Sequence, residues 1–542
     1  MAVGPRHLFV TRGDLTALHC DAWLLPTDRD GSVTPGWVAT MAATGRGVGD
    51  AHGGRLDEPA RRELAADGAT VLRRPCAAGP GIVACDTAVP HHDVPAAARA
   101  ASTALQRLTA LTAGAAGPSA ALELPRPRPL VALPTVGVGA GGGHGVRGAV
   151  LAGQLEALQA ALAGDDAGPD VALVCFDHEH YAAAQRARRS AGGDARFAAL
   201  LGPELQERVV ALAAHARAGR LVPFVGAGVS MGAGLPSWVG LLDELIADAG
   251  MEADRPALDR LDLRDRAALI QSRLGAGRLA EILLERLGRA RRVALQHQLL
   301  ASLPVTEAAS TNWDDLFERA WTAAGAGPVA VLPFDGRAAD GSWIVKLHGT
   351  VRDGRLHGVV LTREDYLRFG AERNALAGIV QSLLLTRHML FVGFGLNDET
   401  FHRIAHDVRL VLERTVGLQG AGAYATSLSP SRHSVSEELW RGQLDVLSTR
   451  RPEDGEGRAG TAPAARRLEI VLDALGMHAV DPLGHLLDPT FDGALSEPQR
   501  RVAAVLRRFA ADVGPASAAL GPDDPTAAAI AAWLDRMRPA GR

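Results

Sequence analysis

RLVPFVGAGVSMGAGLPSWVGLLDELIADAG (220–250) reads as an apolar strand, a glycine turn and a helix. Gly226 and Gly228 let a backbone approach a pyrophosphate closely, and the helix that follows offers unpaired N–H groups to it. The spacing argues against the dinucleotide fold of dehydrogenases. G-A-G-V-S-M-G brings the third glycine one residue late for G-x-G-x-x-G, and LLDELIADAG is helical where that fold needs a second strand ending in an acid.

Three further stretches surround this one in function. ASTNWDDLFERAW (309–321) places Asn312 and Asp314 where a strand gives way to a helix. WIVKLHGT (343–350) is a buried strand delivering His348 and Gly349 at its end. HMLFVGFGLNDETF (388–401) is another buried strand running into a Gly-rich turn. Each motif falls outside the carboxyl end of an expected parallel strand, where open α/β sheets gather their ligands.

In this order, GAGVS…AGLPSW, TNWD, KLHG and GFGLND resemble the sirtuin-like NAD-consuming domain of prokaryotic antiphage effectors, over roughly 206–430. The resemblance implies that Gly226, Ala227, Gly228 and Ser230 hold the cofactor's phosphates, and that Asn312 and Asp314 lie near the nicotinamide ribose. It implies that His348 is the catalytic histidine, with Asn312 positioning the nucleophile. Gly393, Gly395 and Asp398 would form the turn near the adenosine half, although GFGLND replaces the GTSLxVxP of the deacylases. NAD is then the substrate, and the expected reaction is cleavage of the nicotinamide N-glycosidic bond to nicotinamide and ADP-ribose. The residue types suit that chemistry: a dry ribose pocket, an amide to orient an oxygen nucleophile, and a base titrating near neutrality. ADP-ribosyl transfer, NAD-dependent deacylation and non-catalytic sensing of NAD or ADP-ribose are the competing readings.

All four cysteines (Cys20, Cys76, Cys85, Cys175) fall in the first third, so the segment carries none of the paired CxxC motifs of zinc-containing sirtuins. No zinc or other metal is expected. Helices expected over 251–305 stand in its place and would cover the nicotinamide side of the cleft. Among 57 basic residues Lys346 is the only lysine, two positions before His348 on the same strand face, which suggests a need for a point charge.

The first ~195 residues alternate strands and helices, an α/β pattern. RGDLTALHCDAWLLPTD, ALPTVGVGAGGGHG and DVALVCFDHEHYAAAQ resemble, more faintly, the macrodomain family of ADP-ribose binders. That resemblance would make Asp14 and Asp21 the early acids and Gly137, Gly139 and Gly141 a phosphate loop, implying an ADP-ribose-like ligand. His91, His92, His178 and His180 lack metal-ligand spacing and read as surface histidines, with Asp177 and Glu179 in a solvated loop. RRPEDGEGRAGTAPAA (451–465) reads as a linker, and three helical segments follow it.

The expected organisation is thus an α/β protein: a macrodomain-like three-layer domain over 1–195, a Rossmann-like parallel-sheet sirtuin-like domain with a helical insertion over 206–450, and a helical region over 466–542. With 542 residues, 47% hydrophobic, a formal charge of −4 and no apolar run near 20 residues, neither a membrane span nor a global nucleic-acid-binding field is expected. A cytoplasmic setting follows from the missing signal-peptide core. The family resemblance adds a phage-derived or operon-encoded trigger and a homo-oligomer as expected partners.

Overall fold

The computed structural model describes residues 4–43, 54–89, 93–139, 141–163, 167–336, 341–415, 423–431, 434–481, 483–521 and 524–537. The chain is α/β and divides into two compact units. One comprises residues 207–472 with 122–125, and the other residues 2–121, 126–206 and 473–542. The tail from Asp473 therefore belongs to the same unit as the N-terminal residues.

That unit holds a six-stranded sheet of β1 (Leu8–Arg12), β2 (Ala22–Thr27), β3 (Ala69–Arg73), β4 (Gly81–Asp86), β5 (Leu130–Pro134) and β6 (Asp170–Cys175), in the order β1-β6-β5-β2-β4-β3. Only the β3–β4 pair is antiparallel. Leu105, Leu108, Leu151, Leu155 and Tyr181, from three helices, pack with the apolar strand residues into one core. Asp473, fully buried, accepts two hydrogen bonds from Arg188 (2.9 and 2.8 Å) and contacts His7 Nε2 at 2.7 Å. A buried carboxylate persists only with such complete pairing.

The structure places the residues singled out in this unit and corrects the reading of the His178–His180 segment. Asp177 is no loop residue: it caps the helix His178–Ser190, accepting from His180 N at 2.8 Å, and Glu179 lies in that helix's first turn. His180 is buried, its Nδ1 also on Asp177, and burial pulls the His178 imidazole down to about 4. His91 and His92 lie outside the described residues. Asp21 points inward, accepting from the backbone of Ser119 and Leu130, while Asp14 caps a short turn through Thr16. The glycine loop after β5 folds on itself: Gly143 N donates to Gly137 O at 2.8 Å, and a Cβ on Gly137 would strike Val89. In the central unit, the segment read as a linker (451–465) is helical from Gly457, within Gly457–Ala479. Its alanines outweigh the breakers, alanine being the strongest helix former.

The central unit has a seven-stranded sheet of β7 (Leu221–Val225), β8 (Glu307–Ser310), β9 (Ala330–Leu332), β10 (Trp343–Lys346), β13 (His388–Val392), β14 (Ala425–Ser429) and β15 (Leu444–Ser448). The order is β15-β14-β13-β7-β8-β10-β9, and every pair is parallel. A small hairpin, β11 (Thr350–Arg352) with β12 (Arg355–His357), follows β10. From β7 the chain builds outward to β8, β10 and β9, then returns to lay β13 on the other side of β7. The reversal opens a crevice at the carboxyl ends of β7 and β13.

Glycine is required there because two backbones meet. Gly226 N donates to Val392 O and Gly228 N to Gly393 O, each at 2.9 Å. A Cβ on Gly226 would lie 2.4 Å from Gly393 O, and Gly393 itself has φ +66°. Gly226→Ala must part the two loops, at a cost on the order of 1–3 kcal/mol. Urea denaturation should show a lowered midpoint at unchanged slope; an unshifted midpoint would contradict the close-approach account.

Candidate active site

Four adjacent strand ends converge on one cavity of about 680 Å³. Its lining includes Ala227, Gly228 and Ser230 after β7, Asn312 and Asp314 after β8, His348 after β10, and Gly393, Gly395 and Asp398 after β13. Of the sequence-predicted site residues only Gly226 is absent from the wall; it lies beneath, against Gly393. Helices Leu263–Leu274 and Ala276–Leu287 of the insertion contribute Leu263, Arg264, Leu283 and Arg286. Trp238 and Trp313 meet edge to face at 5.6 Å and add an apolar wall.

The loop after β7 is less open to a ligand than its glycines suggest. The Gly228 N–H is taken by Gly393 O, and the Val229 N–H by Gly226 O at 3.1 Å. The Ser230 hydroxyl is buried and engaged by protein: it donates to Asp314 Oδ2 at 2.9 Å and accepts from Asn312 Nδ2 at 3.1 Å. Asn312 Nδ2 donates also to Gly226 O at 3.2 Å, and the Asn312 backbone N–H to Ser310 Oγ at 2.9 Å. With its amide nitrogen so committed, the buried Oδ1 of Asn312, a residue that lines the cavity, is left without a hydrogen-bond partner.

His348 is the second such group. It is buried, and its Nε2 has no hydrogen-bond partner; Asp398 Oδ2 stands 3.6 Å away, beyond hydrogen-bond reach. Asp398 itself accepts from Tyr366 OH at 3.0 Å and from the Phe401 backbone at 2.9 Å. Burial pulls the imidazole below its ordinary range, Asp398 pulls it back up, and Arg373 adds to the lowering. Asp398 thus sits beside His348. Tyr366, which the sequence reading passed over, lies edge-on to the imidazole at 5.3 Å. Nothing in its local pattern, an exposed-looking helix REDYLRF, marks it.

Lys346 is not a wall residue. Fully buried, its Nζ donates to the Asp314 carbonyl at 2.6 Å and pairs with Glu318 at 2.8 Å. The point charge therefore holds the turn that carries Asn312 and Asp314. Burial, partly offset by Lys346, raises the Glu318 carboxyl above its usual range. Among the described residues, no group of three or more His, Cys, Asp or Glu is placed to hold a metal ion. Lys346→Met strands Glu318, and breaking such a buried pair costs roughly 3–5 kcal/mol. Chemical denaturation should show that loss, with partial recovery in Lys346→Met/Glu318→Gln; a single variant as stable as the parent would contradict the role.

Residues 306–442 match the family described as SIR2-like domain, a span that includes Asn312, Asp314, Lys346, His348 and Asp398 but not the loop after β7. A protein named NAD(+) hydrolase ThsA from Enterococcus faecium is 30% identical over 201 residues, 36% of this chain and 41% of that one. Its namesake from Bacillus cereus (strain MSX-D12) is 27% identical over 209 residues, 35% of this chain and 40% of that one. A Bacillus subtilis protein named Defense-associated sirtuin 2 is 23% identical over 213 residues, 39% of this chain and 21% of that one. The similarity spans about two fifths of the length of the ThsA relatives. The matched span supplies the cavity wall after β8, β10 and β13, while the loop after β7 and the insertion helices that complete it lie outside that span.

Proposed function

We propose that the protein is an NAD hydrolase acting in antiphage defence in the cytoplasm, and that Asn312 and His348 carry the reaction. The observation that carries the reading is that Asn312 and His348 line one cavity and that each buries a polar atom without a partner, Oδ1 and Nε2. Burying a polar group without a partner costs about 1–3 kcal/mol, which a polar ligand would return. The similarity to proteins named NAD(+) hydrolase supplies the ligand class.

In this reading the bond between C1′ and the nicotinamide nitrogen breaks heterolytically. Its electron pair goes to the ring nitrogen and neutralises the pyridinium charge. Asn312 Oδ1 accepts a hydrogen bond from water, water oxygen attacks C1′ of the oxocarbenium-like sugar, and His348 takes the released proton. Asp398 stabilises the imidazolium that results. Insertion residues Leu263, Arg264 and Leu283 line the cavity, and in this reading they narrow the space left for a macromolecular acceptor, which favours hydrolysis over transfer. The same reading includes a phage-derived or operon-encoded trigger and a homo-oligomer.

His348→Ala and Asn312→Ala should each reduce NAD loss by roughly 10²–10⁴-fold in folded protein, the double variant scarcely more, because the two act as one unit. A base must be neutral to act, so a lowered imidazole pKa places the acid limb of kcat/KM below pH ~6.5. Full turnover in His348→Ala, or a limb above that value, would end the assignment.

A second ligand site belongs to the N-terminal unit in this reading, for an ADP-ribose-like molecule at the carboxyl ends of β1, β5 and β6. Its support is the glycines that follow β5, Gly137, Gly139 and Gly141, and Phe176, which follows β6 and is 84% exposed, a surface on which a base can stack. Titrating ADP-ribose into the full chain should show a binding event that Phe176→Ala removes; identical isotherms would refute it.

A further inference from the structure

Helix Leu295–Ala301 brings His297, fully buried, up to Ser230. The proton positions follow from the partners. His297 Nδ1 lies 3.0 Å from the Ala294 backbone N–H, an obligatory donor, so Nδ1 is an acceptor and bears no hydrogen. An imidazole with one bare nitrogen is neutral and carries its proton on the other. Burial, reinforced by Lys346 and Arg319, pulls the group down to about 3, in keeping with that state. Nε2–H therefore donates to Ser230 Oγ, 3.4 Å away.

Ser230 is then saturated. Its oxygen accepts from His297 Nε2 and Asn312 Nδ2, and its one hydrogen goes to Asp314 Oδ2. The chain runs in one direction, from imidazole N–H to hydroxyl to carboxylate. A reversed Asn312 amide would set Oδ1 against the Gly226 carbonyl and against a hydroxyl whose hydrogen is already given away. We propose that His297 is a positioning residue: by donating to Ser230 it fixes the hydroxyl on Asp314 and so holds the Asn312 amide nitrogen on Ser230, leaving its carbonyl oxygen without a protein partner. The inference rests on the proposed role of Asn312.

Two substitutions separate this from a merely structural role. Asn at 297 reaches the Nδ1 position and keeps an acceptor for Ala294 N–H, but has no donor at Ser230. Gln reaches the Nε2 position and keeps the donor, but loses the Ala294 contact. The account expects His297→Asn to lose about 10²-fold in kcat, the scale of an ångström's misplacement, with KM within about twofold. His297→Gln should keep kcat within about threefold while melting earlier. Full kcat in His297→Asn overturns the proposal, as does equal loss in both variants. A crystal structure of His297→Asn gives a readout free of turnover: Ser230 Oγ or the Asn312 amide should leave its present placement. Unmoved side chains overturn the inference even if the parent chain proves inactive on NAD, whereas moved ones uphold it in that case while the hydrolase reading fails.

Discussion

The cavity depends on two backbones that touch. Where the loop after β7 meets the loop after β13, Gly226 and Gly228 hand their N–H groups to Val392 O and Gly393 O. No side chain fits between them. This contact fastens the two strands on either side of the sheet's reversal, and it sets the base of the cavity wall. The glycines are thus spent first on building the crevice. A dinucleotide bound there, as proposed, would find the N–H groups of Gly226, Gly228 and Val229 already taken by protein carbonyls.

Above the contact, polar groups are shared out so that nearly all are consumed by protein. Lys346 holds the Asp314 carbonyl and Glu318, Ser230 joins Asn312 to Asp314, and Asp398 takes Tyr366 and a helix N-terminus. Fully satisfied buried networks are rigid, because each member's orientation is dictated by its neighbours. Among the described residues lining the cavity, Asn312 Oδ1, His348 Nε2 and Arg286 Nε are left without a hydrogen-bond partner, and the chemistry is assigned to the amide and the imidazole because they can orient a water and take its proton.

Much of this was legible in the chain itself. Although their order in the sheet could not be read, the parallel strands announce themselves as apolar runs, and each ends in a motif of the kind that open α/β sheets bring to a common ligand. The placement of Asn312 and His348 at one cavity follows from that alone. The partners could not be read. His297 sits in VALQHQLLASL, where a histidine among leucines looks like any buried residue, and its role exists only because a helix far from Ser230 in sequence packs behind it. Lys346 was visible as the single lysine, but alternation along β10 could not say that it meets Glu318. The helix from Gly457 was hidden by the breakers preceding its alanines. For His297 and Lys346 the deciding contact is tertiary, and local pattern carries no record of it.

The central claim is that this cavity cleaves NAD and passes the ribosyl group to water. Purified full-length protein incubated with NAD and resolved by chromatography tests it most directly. The account predicts nicotinamide and free ADP-ribose in equal amounts. Bound but unconsumed NAD, or nicotinamide released with the ADP-ribosyl group attached to a macromolecule, would contradict it.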